Sequence, residues 1–301
     1  SSKIANYDEF YSGFKEIADE SIIQEIMESK SNNDLLKFKI KAFPHQFILF
    51  KDTQGNDISQ GRFFDDKVKM LKKHKAWGIT PRNIEQNCAL DLMFDPNIPL
   101  VSLIGQAGCG KTLLALAAAL ELVLHNHSYN KLIIYRPIQP IGKDIGYVPG
   151  TKFEKLSVWM SAIFDNFETL LGNDSPNTGK NSRNKKKLWM EDLEMFIEKG
   201  LIELDCLTYV RGRSINNALI IIDEAQNLSA NDAKTLLTRI GTGTKVIFTG
   251  DIAQIDDKSL DSHNNAIGLI TETFKESKLA GHVTFVKSER SELATEALRL
   301  L

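Results

Sequence analysis

Eight residues, GQAGCGKT from Gly105 to Thr112, fit the pattern G-x-x-x-x-G-K-[ST] in full. The chemistry this spacing serves is the holding of a polyphosphate. Glycines at 105, 108 and 110 let backbone N–H groups curl around phosphate oxygens, where side chains would obstruct them. Gln106, Ala107 and Cys109 complete the cradle. Lys111 offers a point charge to β- and γ-phosphates, and the Thr112 hydroxyl is a ligand for Mg²⁺. The apolar run IPLVSLI precedes the loop and TLLALAAAL follows it, so the loop joins a strand to a helix whose positive end faces the anion.

A second stretch, LIIIDEAQN from Leu219 to Asn227, runs four apolar β-formers into two carboxylates. A strand parallel to the one before the glycine loop brings Asp223 beside Thr112, to hold Mg²⁺ through water. Glu224, one residue on, is then placed as the general base for an attacking water. A third strand, TKVIFTGD, leads into GDIAQID, where Gln254 is a candidate γ-phosphate sensor or, alternatively, part of a surface turn. Upstream, GITPRNIEQN carries Arg82 and Gln86; the amide of Gln86 is a candidate reader of the adenine edge.

These residues need a scaffold. From Pro81 onward strands and helices alternate, which predicts a parallel sheet wound by helices. Residues 1–37 read as a helical segment, with Phe10, Phe14, Ile17, Ile22, Ile23, Ile26 and Met27 as its apolar set. Residues 38–76 read as a small β-rich adjunct: FKIKAF alternates, FILF follows, and QGND supplies a turn. Its end, DDKVKMLKKHKAW, is a basic linker with Lys67, Lys69, Lys72, Lys73 and Lys75, either a solvated helix face or a phosphate-contacting patch. Residues 77–301 form the main α/β domain, interrupted at 172–187 by GNDSPNTGKNSRNKKK, a polar stretch predicted to be a mobile basic loop.

Composition limits the alternatives. The chain has 42% hydrophobic and 25% charged residues, as ordinary globular proteins do, and no apolar run long enough for a membrane span. SSKIANYDEF is not a secretory signal, and Cys88, Cys109 and Cys206 lack metal or disulfide-framework spacing, so a cytoplasmic setting is expected. A net charge of −2 leaves any nucleic-acid binding to local patches.

Together GQAGCGKTLLALAAAL, RPIQPIGKDIGYVPG, RGRSINNALIIIDEAQNLSANDAKTLLTRIGTGTKVIFTGDIAQID and SERSELA resemble the PhoH-like ATPase family, over roughly Trp77 to Leu301. The branch most similar is the one in which a PIN nuclease domain precedes the PhoH domain. DEAQ and GDxxQ also resemble motifs II and III of superfamily-1 helicases, and Gln86 their adenine-reading glutamine. The resemblance implies a RecA-like P-loop domain that binds ATP with Mg²⁺ and acts on single-stranded RNA, or DNA, as a helicase or translocase in a hexameric ring. It implies nucleotide roles for Lys111, Thr112, Asp223, Glu224 and Gln254, and makes Arg290 in SERSELA an arginine finger acting in trans. Arg136, Arg211 and Arg213 fall in matching segments that face nucleic acid or nucleotide; Lys143 and Tyr147 are candidate RNA contacts.

Two positions depart from the family pattern. Cys109 stands where Thr is usual and Val158 where Pro is usual, and neither removes a phosphate donor. The roughly 80 residues before Arg82 are too few for a PIN nuclease, whose domain exceeds ~100 residues, so no RNase activity is expected of this chain. The alternatives are a nucleic-acid-binding scaffold with a regulatory ATP site, and an RNA-processing ATPase whose nuclease is missing here.

Overall fold

The computed structural model describes residues 7, 10–22, 24, 35–36, 40–137, 160–172, 182–205, 214–256, 259–261 and 264–286. Its larger part is a three-layer α/β unit, as the alternating pattern predicts. The strands are β6 (Leu100–Gly105), β7 (Lys131–Tyr135), β8 (Ile202–Asp205), β9 (Ala218–Ile222), β10 (Lys245–Gly250) and β11 (Ala280–Phe285). They form one parallel sheet in the order β11-β6-β10-β9-β7-β8. Such strands are covered on both faces and so are apolar throughout rather than alternating. ALIII of β9 shows this, with every residue buried.

Successive residues nevertheless serve opposite layers. Leu219 and Ile221 pack on one side against α1 (Ile84–Phe94), α2 (Lys111–Leu120), α3 (Ser161–Leu171) and α4 (Ser182–Glu198). Ile220 and Ile222 pack on the other side against α5 (Ala230–Leu237) and α6 (Ala266–Phe274). Full burial of each such side chain contributes about 1.5–3 kcal/mol. Helix α2 continues through a π-helical turn, Glu121–His125.

The structure differs from the sequence reading in several places, most of them N-terminal. Phe14–Ile17 is a strand, β1, not helix. Gly13 adopts φ +83° with its backbone against the carbonyl of His282, and Phe14 N–H donates to the Ser12 hydroxyl at 3.2 Å. That turn interrupts a helix through the apolar set and sends residues 14–17 parallel to β3 (Phe47–Lys51). Among the described residues 20–22 and 24 are helical; Ile23, Ile26 and Met27 lie outside the described residues. The basic linker is also part of the sheet: β5 (Lys67–Met70) buries Val68 and Met70 and turns Lys69 outward, a period of two rather than 3.6. It follows β4 (Asp57–Phe64) through Asp65-Asp66, both with positive φ (49° and 57°), the geometry of a two-residue hairpin loop. With β2 (Leu35–Leu36), these strands form a five-stranded sheet, β1-β3-β4-β5-β2, so the adjunct draws on residues before 38. Lastly, α4 begins at Ser182, inside the stretch expected to be a loop, because the amphipathic LWMEDLEMFIE that follows propagates its helix backward.

The adjunct is fastened to the main domain by polar contacts. Arg62, 5% exposed, lies on Asp91 at 2.8 Å and Asp95 at 2.5 Å, both carried by or just beyond α1. His45 Nε2 meets the Lys278 carbonyl at 2.8 Å.

Candidate functional site

The P-loop strand β6 is flanked by β11 and β10, and β10 separates it from β9. All three neighbouring strand ends therefore reach one edge of the sheet, the position at which α/β sheets bind ligands. A cavity of about 250 Å³ opens there, lined by Ala107, Gly108, Gly110, Lys111, Thr112, Asp223, Glu224, Gly250, Asp251 and Gln254, with Leu113 and Asn166.

Gly108 and Gly110 carry φ of 85° and 89°, which the loop's curl requires. Gly105 is different. A Cβ there would stand 2.7 Å from Phe285 Cβ and 2.8 Å from its carbonyl oxygen, so packing against β11 dictates this glycine. Packing thus gives this glycine a reason of its own beside the phosphate approach expected from sequence. Lys111 is buried, and its ammonium donates to the carbonyls of Gly105 at 2.6 Å and Gln106 at 2.9 Å. These bonds hold it against the loop itself.

The expected meeting of Thr112 and Asp223 is present: Thr112 Oγ1 donates to Asp223 Oδ1 at 2.8 Å. Thr249 Oγ1, from β10, donates to the same oxygen at 2.7 Å. Asp223, 3% exposed, is thus aimed by two hydroxyls, while Arg136 lies 3.6 Å from its Oδ2. Glu224 takes a left-handed backbone, φ 54° and ψ 40°, uncommon for a residue with a side chain and costing about 1–3 kcal/mol. Gln226 Nε2 donates to its Oε2 at 2.6 Å, and Arg136 lies 3.5 Å from Oε1. Burial first, and the Asp223 charge second, push the Glu224 carboxyl above the usual carboxylate range; Gln226, Arg136 and Lys111 oppose this. A carboxylate raised in this way is a better proton acceptor.

Gln226 also ties two motifs together. It donates to the Gln254 carbonyl at 3.1 Å and accepts from Asp251 N–H at 3.0 Å. Asp251 in turn accepts from the P-loop N–H of Ala107 at 2.9 Å and from the Tyr7 hydroxyl. The Gln254 side chain is exposed at the cavity wall.

Gln86, the expected reader of the adenine edge, has both ends of its amide engaged within the protein. It is 5% exposed, donates to the Cys109 carbonyl at 3.2 Å and accepts from Arg82 N–H at 2.8 Å. The Nε2 end braces the P-loop and the Oε1 end holds the residue before the Asn83 cap of α1. Arg290, Arg211, Arg213, Lys143 and Tyr147 lie outside the described residues.

Sequence reading missed Thr249, Asp251, Asn166 and Tyr7 as contributors. A signal existed for Thr249, a polar residue closing the apolar run VIF and fully buried. No local signal marks Tyr7, which reaches Asp251 across 244 positions of sequence.

The donor set suits Mg²⁺ in the P-loop manner: one hydroxyl and one aimed carboxylate, the rest being left to phosphate and water. Among the described residues no group of three or more His, Cys, Asp or Glu side chains forms a separate metal site, and no helix is long and apolar enough to cross a membrane.

Comparison with known proteins agrees with the motif set. Residues 78–300 match the family model described as PhoH-like protein. Protein PhoH2 of Bacillus subtilis is 43% identical over 99% of this chain and 66% of its own length. Protein PhoH2 of Thermobispora bispora is 35% identical over 85% of this chain and 55% of its own. A PhoH-like protein of B. subtilis is 37% identical over 80% of this chain and 61% of its own. The chain therefore spans about half to two thirds of the length of the curated relatives it matches. Among solved structures, the SWI2/SNF2 ATPase core of Sulfolobus solfataricus aligns with 72% of this chain and 47% of that one, at 16% identity and a TM-score of 0.38. With a family match that runs from just after the adjunct almost to the last residue, and takes in the P-loop, Asp223, Glu224 and Gln254 alike, the chain belongs to the PhoH-like family.

Proposed function

We propose that the chain is an ATP-hydrolysing motor acting on single-stranded RNA, a helicase or translocase that works as a homohexamer. The observation that carries the ATPase reading is the joining of Thr112 to Asp223 at 2.8 Å, with Glu224 one residue on and lining the same cavity. In this reading Thr112 and Asp223 hold Mg²⁺, which when bound neutralises phosphate charge. Lys111 turns from the loop carbonyls to the β- and γ-phosphates. Glu224 accepts a proton from the attacking water, and Gln254 orients that water at the cavity wall. Arg290 is assigned to a neighbouring subunit's site, where a planar guanidinium suits the transferring oxygens.

The nucleic-acid half of the proposal is supported by charge. From Lys67 to Ile84 the chain has five lysines and one arginine but no carboxylate, and Lys69, Lys72, Lys73 and Lys75 are exposed. Such a run provides phosphate contacts without sequence preference. RNA is favoured over DNA by family resemblance alone.

The test is phosphate release with and without single-stranded RNA, together with nucleotide binding and native mass. Lys111→Ala is expected to lose nucleotide binding. Glu224→Gln is expected to bind nucleotide yet turn over about 10²–10⁴-fold more slowly, the usual worth of a positioned base. Equal turnover by Glu224→Gln and the unchanged protein would replace the motor with a nucleic-acid-binding scaffold.

A further inference from the structure

Asp223 raises an electrostatic question. A carboxylate only 3% exposed is costly unless a positive charge stands near it. Lys111 is committed to the Gly105 and Gln106 carbonyls, and both hydroxyls on Asp223 Oδ1 are neutral. Among the described residues, the cation facing Oδ2 is Arg136.

Its placement follows from the sheet. β7 and β9 run parallel in register to Tyr135 opposite Ile222, and Asp223 N–H donates to the Tyr135 carbonyl at 2.9 Å. The next residue on each strand is Arg136 and Asp223. The ladder therefore delivers a guanidinium to the carboxylate pair. One guanidinium nitrogen lies 3.6 Å from Asp223 and the other 3.5 Å from Glu224. Both distances exceed the 2.7–2.9 Å of a charge-assisted hydrogen bond, so the fork bridges the two acids without locking onto either. A loosely seated charge of this kind neutralises the pair and yields to a better ligand.

We infer that Arg136 is an internal stand-in for the divalent cation, occupying the charge position between Asp223 and Glu224 and competing with the metal for it. The inference rests on the reading of Asp223 as the metal-side ligand. Arg136 is in this sense a positioning residue. It faces both adjacent carboxylates with one guanidinium, and it sets how much free metal is needed to displace it.

The experiment is Mn²⁺ binding to the nucleotide-free full chain, followed by electron paramagnetic resonance, with thermal unfolding at each Mn²⁺ concentration as a second readout. Arg136→Gln removes the competing charge and is expected to tighten Mn²⁺ binding about five- to tenfold, the range of a modest coupling between two sites. Its melting temperature should rise more with Mn²⁺ than that of the unchanged protein, a comparison that holds even if the variant is less stable at the outset. Arg136→Lys keeps a charge and should stay near the unchanged protein. Asp223→Asn should lose the site. Mn²⁺ affinity in Arg136→Gln equal to or weaker than normal, with Asp223→Asn still losing the site, overturns the inference and leaves the metal ligand standing. Undiminished binding by Asp223→Asn overturns both.

Discussion

Replacing Gly105 by Ala separates two explanations of a P-loop glycine. If the residue is there to let phosphate approach, the substitution weakens nucleotide binding and leaves the free protein unaffected. The structure points elsewhere. The added methyl would sit 2.7 Å from Phe285 Cβ and 2.8 Å from the Phe285 carbonyl oxygen, and 3.2 Å from Cys109 Sγ. Carbon atoms settle at about 3.5–4.0 Å, so roughly 1 Å of separation must be found between the end of β6 and β11. Neither Phe285 atom is the tip of a flexible side chain, and both strands are hydrogen-bonded over their full register. Gly105 does not adopt a left-handed φ, so no conformational penalty confuses the comparison. Overpacking of this sort costs about 1–3 kcal/mol, and the unyielding neighbours argue for the upper part of that range. At about 2–4 °C per kcal/mol for a domain of this size, the melting temperature of the nucleotide-free protein should fall by about 4–10 °C. Thermal unfolding without nucleotide measures it and urea unfolding the free energy, beside titration with a fluorescent nucleotide. Phe285→Ala should not rescue the variant, since it keeps both offending atoms. An unchanged unfolding free energy with weakened nucleotide binding would refute the packing argument and restore the phosphate explanation.

Two further outcomes are expected. Lys245 is fully buried, and its amine meets the carbonyls of Leu92, Asp95 and Ile98 at 3.1, 2.8 and 2.6 Å. Burial pulls its pKa down to about 7, whereas the unfolded chain holds that proton to about 10.5. Between these values the unfolded state binds more protons, so this group makes stability rise with pH. Urea unfolding should therefore find Lys245→Met more costly at pH 9 than at pH 7, by up to about 1.4 kcal/mol per unit. A pH-independent cost would mean that the three carbonyls keep the ammonium charged. Tyr7→Phe removes a hydroxyl that burial, and then Asp251, hold in its protonated form. Losing that bond to a carboxylate should cost about 1.5–3 kcal/mol and weaken nucleotide binding through Ala107; stability and affinity both unchanged would show Asp251 to be set without it.

What could be read from sequence was the part written in contiguous residues. GQAGCGKT and LIIIDEAQN each announce a strand end and its chemistry, because the apolar run and the reactive residues adjoin. The partnership of Thr112 with Asp223 followed from requiring two parallel strands. Contacts that depend on the sheet order did not follow. Nothing local says that β10 lies between β6 and β9, so Thr249 was missed although it touches Asp223. The contact of Gln86 with the Cys109 carbonyl was not legible for a related reason: an amide before a P-loop suits both a base edge and a loop carbonyl. The N-terminal residues were misread because helical spacing of Phe10, Phe14 and Ile17 was outweighed by a single turn at Gly13 and by pairing with β3.

That turn at Gly13 has a bearing on how the molecule tolerates being cut. β11 lies at one margin of the parallel sheet, and an uncovered margin invites pairing with a stranger's backbone. Here the chain's own residues lie along it. Thr284 N–H donates to the Ser12 carbonyl at 2.9 Å, the Gly13 backbone abuts His282, and the Tyr11 ring lies 5.8 Å from the imidazole of His282. A fragment starting at residue 77, the tidy boundary on paper, would strip that cover and the Arg62 anchorage with it. The segment before the family-matched region is thus the selvedge of the sheet, and shortening it should be judged by aggregation before it is judged by activity.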